Sequence, residues 1–239
     1  MVRDDGRPSL VAVGWTVTLL GGFGLRDGGG VVELPTDAQR VVAFLALQHQ
    51  RVPRAYVAGS LWLDGSQERA FGNLRSALWR LRRKADHLID ADHTTLAIDA
   101  GVTTDVDTLN SVAHHLCDPA ASTGTTDVDP DLFTRDLLPG WYDEWALIER
   151  ERLRQLSLHA LEALAARLAE RHHYAAAIQA ALAAIRLDPL RESAHRAAIH
   201  VHLAEGNHSE ALRQYHTYRD LLDTELGIAP SPRLEALLR

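Results

Sequence analysis

Cysteine is almost missing from this chain of 239 residues, which has one, Cys117, and a single methionine. One cysteine excludes an intrachain disulfide and any cysteine-based zinc cluster within one chain. Cys117 reads most simply as a packing residue. Long apolar runs are missing too, and no stretch approaches the length that spans a bilayer. The opening MVRDDGRPSL sets acids beside its arginines and is followed by no apolar segment with a small-residue cleavage site. These absences predict a cytoplasmic protein with no membrane partner. No GxxxxGKS or GxxxxGKT loop occurs, and no Ser or Cys sits in a recognisable nucleophile motif. Neither an enzyme nor a bound cofactor is expected. Thirteen histidines raise the question of a metal, and His195, His200 and His202 do cluster. Their separations bring His195 and His202 together on a helix but leave His200 aside, so they read as helix-surface or groove histidines and no metal site is expected.

Positive charge is also in short supply, with 25 Lys and Arg against 32 Asp and Glu for a net charge of −7. What is present is concentrated. The segment Ser66 to Lys84, SQERAFGNLRSALWRLRRK, carries Arg69, Arg75, Arg80, Arg82, Arg83 and Lys84 against the single acid Glu68. That is a local excess of about five positive charges, an asymmetry that points to a polyanion partner. Phe71, Leu74, Leu78, Leu81 and Ala85 recur at steps of three and four, which predicts one helix with an apolar stripe facing a core.

The flanking elements give this helix a setting. Val11 to Leu20 is rich in Val, Thr and Trp, and glycines at 21, 22, 24 and 28–30 punctuate the next ten residues, so short antiparallel strands with a hairpin are predicted. Thr36 can cap a helix that starts at Asp37, buries Val41, Val42, Phe44, Leu45 and Leu47, and ends near Gln50. Pro53 suits the first turn of a second helix, Arg54 to Leu63, with Val57, Leu61 and Trp62 to bury. The basic helix is third, and Leu88-Ile89 followed by Thr94 to Ile98 reads as a hairpin behind it. Strands, three helices and a closing hairpin make a winged helix-turn-helix, whose third helix enters the major groove.

From Val102 to Pro139 the chain turns acidic and rich in Thr, Pro and Gly; Thr108 to Cys117 is predicted helical, and the run Ser122 to Thr126 reads as a mobile loop. Beyond Asp143 the pattern is helical, with Leu153, Leu156, Leu161, Leu164 and Leu168 marking a long first helix. Tyr174 to Ile178 recurs as His208 to Leu212 at a spacing of about 34 residues, one tetratricopeptide period. The small residues Ala177, Ala181, Ala184 and Ala211 suit close packing of helix hairpins, whose concave side is a candidate surface for either a small effector or a peptide. Trp141, Tyr142 and Trp145 read as residues that cap the core at a domain junction rather than as an aromatic ligand box. The expected fold class is mainly α with small β elements. The expected division is a winged helix-turn-helix over 1–101 and a tetratricopeptide-like helical domain over 102–239.

Two stretches go further. LLGGFGLRDGGGVVELP with the helix after it and RAFGNLRSALWRLRR resembles the DNA-binding domain of the Streptomyces antibiotic regulatory protein family, a variant of the response-regulator winged helix. LLPGWYDEW and the closing TELGIAPSPRLEALLR resemble the bacterial transcriptional activation domain that comes after it in those proteins. The resemblance implies an activator that binds direct repeats of double-stranded DNA near promoters, with two subunits on adjacent repeats. It implies recruitment of RNA polymerase through sigma and alpha subunits, often for secondary-metabolite and antibiotic genes. Arg75 and Ser76 match positions that approach base edges, and Arg80 and Arg82 match positions that contact the backbone. Arg69, Asn73, Trp79 and Arg83 complete the candidate DNA-binding set. The turn holding Trp62, Asp64 and Ser66 matches a polymerase-facing loop. The wing departs from the family pattern, since Asp90 and Asp92 would repel phosphates and leave only His93 and Thr94 as candidate contacts. A second reading is a helical-repeat adaptor whose winged helix binds protein; salt-dependent retention on DNA separates the two.

Overall fold

The computed structural model describes residues 14–118, 120–121 and 128–238. Val11 to Val13 and the Ser122 to Thr126 run lie outside them. The protein is mainly helical, with small β elements towards its N-terminus. It forms two compact units, one made of the residues up to Asp107 together with Leu137–Glu149, the other of Thr108–Asp136 and the residues from Arg150 on.

The first unit contains β1 (Thr16–Thr18), β2 (Gly24–Asp27), β3 (Gly30–Val31), α1 (Thr36–Ala46), β4 (Val52–Pro53), α2 (Arg54–Leu61), α3 (Gln67–Lys84), β5 (Ile89–Ala91), β6 (Thr95–Ile98) and β7 (Thr103–Thr104). One sheet has the order β3-β2-β1-β7 and the other β4-β6-β5. The glycines between β1 and β2 are there for geometry, because Gly21 and Gly22 have φ of 82° and 137°, where a side chain is strained. β7 pairs parallel to β1 and β4 lies beside β6. Both strands are only two residues long, too short to show a period in the sequence. Pro53 is tolerated in β4 because that strand lies at a sheet edge.

Helix α1 is central, with every residue from Val41 to Leu47 buried. Its cap is Pro35 in extended backbone, with no side-chain cap bond, so Thr36 is the first helical residue rather than the cap. The helix stops at Ala46, short of Gln50, and α2 stops at Leu61, leaving Trp62 as a half-buried C-cap. Pro53 is the N-cap of α2 rather than a first-turn residue. Helix α3 starts where predicted, because the Ser66 hydroxyl accepts from the Arg69 amide at 3.3 Å. Its buried line is Ala70, Leu74, Ala77 and Leu81, with Ala85 beyond it. Phe71 and Leu78 are only half-buried. The apolar stripe is therefore rotated from the one drawn through the large residues, because two alanines pack closest to the neighbouring helices.

Two further pieces complete this unit. Asp105, the first residue of α4 (Asp105–Cys117), accepts from the amides of Leu19 and Leu20, each at 2.9 Å, and its burial raises its pKa. In the second piece, the Leu138 amide donates to the Leu19 carbonyl at 2.9 Å. Trp141 stacks on Phe23 at 6.3 Å between ring centroids, and Trp145, in the first turn of α5 (Glu144–Glu170), meets Phe44 edge-on at 5.4 Å. Those two tryptophans cap the core of this unit. Tyr142 does not, being 81% exposed.

The second unit is helical, with α6 (Tyr174–Leu187), α7 (Glu192–Glu205), α8 (His208–Leu226) and α9 (Pro232–Glu235) after α5. Its packing is tetratricopeptide-like, and the repeat is visible in backbone as well as sequence. The residues that open α6 and α8, His173 and Asn207, have φ, ψ of −87°, 59° and −93°, 65°. Ala177 and Ala211, equivalent in the two copies, are both fully buried. Gly227, with φ of 66°, ends α8, and Ser231 caps α9 while bonding Glu192 of α7. Leu234 is thereby inserted into a core of Ile199, Ala211, Tyr218 and Leu222, which explains the closing ELGIAPSPRL physically: a left-handed stop, a cap and a plug.

Three expectations fail in this unit. His195 is a core residue, not a groove histidine: its ring stacks on Tyr218 at 4.1 Å, receives a bond from the Gln214 amide at 2.8 Å and meets the Pro189 carbonyl at 2.9 Å. Cys117 is exposed at the end of α4 instead of packed. Leu156 of α5 is half-buried, and Leu158 takes the core position.

Candidate nucleic-acid interface

The interface is set by the helical phase of α3. Its buried line sits against the core, so the opposite side faces solvent whatever the unit binds. Arg69, Arg75, Ser76, Trp79, Arg80, Arg82 and Arg83 are all exposed there, and Asn73 is half-buried. Glu68 is the only acid of the helix. The basic residues at its end, Arg82, Arg83 and Lys84, also oppose the negative pole of the helix dipole.

These side chains are not equivalent. Arg80 forms an ion pair with Asp37 in the first turn of α1, and Lys84 donates to the Glu33 carbonyl at 2.8 Å. The Arg83 guanidinium lies 4.8 Å from the centre of the Trp79 ring, a cation–π contact. The Ser76 hydroxyl donates to the Gly72 carbonyl at 3.0 Å, which leaves its lone pairs as acceptors. Arg69, Arg75 and Arg82 show no acidic partner among the described residues. Arg75 and Arg82 project on one flank of the helix, and Arg69, Asn73 and Arg80 on the other.

The turn from Trp62 to Ser66 adjoins the second flank. Trp62 and Asp64 share a cavity of about 650 Å³ with Arg69 and Asn73, whereas Ser66 is committed to capping α3. The far wall holds Arg40, which pairs with Asp143, donates to the Leu61 carbonyl at 2.6 Å and lies 6.0 Å from the centre of the Trp62 ring. Arg40 is absent from the sequence-derived set because its partners are scattered along the chain and no local spacing marks it.

The wing differs from expectation. Its acids are not bare, since Arg51 forks onto Asp90 and, at 2.9 Å, Asp92, and this pairing raises the Arg51 pKa. Asp92 also closes the hairpin turn. The Thr95 hydroxyl and amide, and then the Thr94 amide, bond its carboxylate and hold its pKa far below the usual range. His93 and Thr94 remain exposed at the tip.

Among the described residues no group of three or more His, Cys, Asp or Glu could hold a metal ion, and no helix is long and apolar enough to cross a membrane.

The fold and this surface define a winged-helix-like unit joined to a helical repeat. Residues 129–239 match the bacterial transcriptional activator domain, so the chain contains that domain. Among solved structures it resembles Mycobacterium tuberculosis EmbR, determined in complex with a low-affinity phosphopeptide, with a TM-score of 0.74 and 19% identity over 94% of this chain. The likeness is one of fold, and the chain spans 64% of the length of the EmbR chain. No curated protein matches it in sequence. A winged-helix-like unit with a bacterial transcriptional activator domain is an architecture consistent with a DNA-binding regulator.

Proposed function

We propose that this protein is a cytoplasmic, sequence-specific transcriptional activator of the Streptomyces antibiotic regulatory type. Its DNA-binding domain, residues 1–101, is a winged helix-turn-helix of the response-regulator kind. Helix α3 enters the major groove of direct repeats near promoters, and paired subunits occupy adjacent repeats. Arg75 and Ser76 read base edges, with Asn73, Trp79 and Arg83 beside them, while Arg69, Arg80 and Arg82 hold the backbone. The Trp62 to Ser66 turn and the helical domain, 102–239, meet the sigma and alpha subunits of RNA polymerase at genes of secondary metabolism.

One observation carries this reading: an outward helix side with Arg69, Arg75 and Arg82 free of acidic partners among the described residues, on a chain of net charge −7. A folded acidic protein that keeps such a surface unneutralised is prepared for a polyanion. The test is genome-wide DNA capture with the purified chain, followed by affinity measurements across a salt series. Enrichment of repeated sites, with affinity falling steeply as salt rises, is expected. Capture of no DNA, together with salt-insensitive binding of a protein partner, would turn the reading to an adaptor.

A further inference from the structure

Moving each buried position of α3 by two residues turns about 200° around the helix. Ala70, Leu74, Ala77 and Leu81 then become Gly72, Ser76, Trp79 and Arg83. These four lie opposite the buried line, with Ser76, Trp79 and Arg83 exposed and Gly72 half-buried, and packing gives no reason for Gly72 or Trp79. Gly72 lies within an 18-residue helix, where only proline is a worse choice. A Cβ built there would meet nothing nearer than the Arg75 guanidinium at 3.8 Å, so packing does not demand glycine. Trp79 is 59% exposed on the basic side of α3, its ring supported from one side by Arg83 at 4.8 Å.

We propose that Gly72 and Trp79 form a thymine-reading pair. Gly72 lets the helix backbone sink towards the base edges, and the free surface of the indole lies against the 5-methyl group of a thymine in the major groove. The inference rests on the DNA-binding reading above and adds a base identity to it. A methyl group is the one apolar feature that the major groove offers. An aromatic plate held by a stacked arginine has the complementary chemistry, and the arginines on both flanks supply the charge that draws the duplex in.

The experiment uses the full chain and duplexes that it enriches from a random library. Each thymine in an enriched site is replaced in turn by deoxyuridine, which removes only the methyl group. One position is expected to lose about three- to fivefold in affinity, as burial of one methyl implies. In Trp79→Ala that position becomes insensitive, and in Trp79→Phe sensitivity is largely restored. Gly72→Ala is expected to raise the thermal midpoint and lower DNA affinity severalfold, opposite movements that a merely structural glycine would not give. Sites enriched without any deoxyuridine-sensitive thymine, or with the same sensitivity in Trp79→Ala, overturn the thymine contact while leaving DNA binding intact. Undiminished affinity in Gly72→Ala overturns the close approach. Failure to enrich any duplex overturns the DNA-binding reading and this inference together.

Discussion

The two units differ in how they use arginine. In the helical unit four arginines are tied to carboxylates: Arg154 to Glu151 and Asp188, Arg191 to Glu162, Arg213 to Glu210 and Arg219 to Asp220. The pairing is strong enough for Arg154 and Gln155 to bring the Glu151 pKa down to about 2. Arg191, half-buried, also reaches Gln155 and His159 and so fastens the α6–α7 turn onto α5. In the winged-helix-like unit, Arg40 and Arg51 are fastened similarly, yet the outward side of α3 is left largely without acids. Arg69, Arg75 and Arg82 bring unpaired positive charge together on one helix, and that is where attraction for an external anion is concentrated.

The largest expected effect comes from cutting the first unit. A fragment ending at Gly101 loses the Asp105 carboxylate that holds the Leu19 and Leu20 amides, and the tryptophan cover over Phe23 and Phe44. Relative to a fragment ending at Glu149, it should lose at least the roughly 2–5 kcal/mol typical of removing one buried leucine, since buried Leu137 and Leu138 go with the piece, read by denaturant unfolding. Equal stability of the two fragments would show that the first unit ends before Asp105.

Next in size is the phase of α3. Leu74→Ala should cost about 2–5 kcal/mol, because that side chain is 1% exposed, and half-buried Leu78→Ala clearly less. Thermal midpoints of the two variants check the order, and a reversed order would reinstate the stripe through Phe71, Leu74, Leu78 and Leu81.

A smaller effect belongs to the helical unit and to pH. Burial lowers the pKa of His195, and burial followed by the Arg196 charge lowers that of His200. The folded state therefore takes up fewer protons than the unfolded chain just below the ordinary histidine value. Stability is fully present above about pH 6.5 and falls as pH drops towards the lowered folded values. His195→Phe should flatten that slope in unfolding measurements from pH 7 to pH 5, and an unchanged slope would mean that His195 is not buried as a neutral ring.

The smallest effect is the most specific to the comparison. Arg82→Ala should reduce the salt dependence of DNA binding by about one unit of slope, whereas Arg219→Ala, paired with Asp220, should leave it unchanged. Similar slopes for both variants would remove the distinction between the two classes of arginine.

Much of the fold was legible from sequence where a residue acts locally. The start of α3 at Ser66, the punctuating glycines, the hairpin behind α3 and the helix-hairpin spacing of Ala177 and Ala211 depend on neighbours within a turn or a repeat. The exposed positions of α3 could also be read, because a stretch with six basic residues cannot bury them. Interactions between distant stretches could not be read. Arg40 with Asp143, Arg80 with Asp37 and Arg51 with the wing join residues far apart in the chain, and a single sequence contains no signal that pairs them. The phase of α3 was misjudged because hydrophobic size was followed, while closeness of helix packing selected Ala70 and Ala77. Cys117 was misjudged because cysteine is usually buried, and position at a helix end outweighs that tendency.

The fork of Arg51 onto Asp90 and Asp92 bears on how an encounter begins. Two bare carboxylates on a wing would project a repulsive field over a Debye length, about 8–10 Å at ordinary ionic strength. With the Arg51 guanidinium between them and Arg54 bonding the Asp92 carbonyl at 2.9 Å, the two acids are balanced and the tip keeps a local dipole, whose influence decays over a shorter distance. A wing so neutralised offers little repulsion to a polyanion, which leaves the field of α3 to dominate. Removing Arg51 would change the association rate well before it changed any contact in the finished complex.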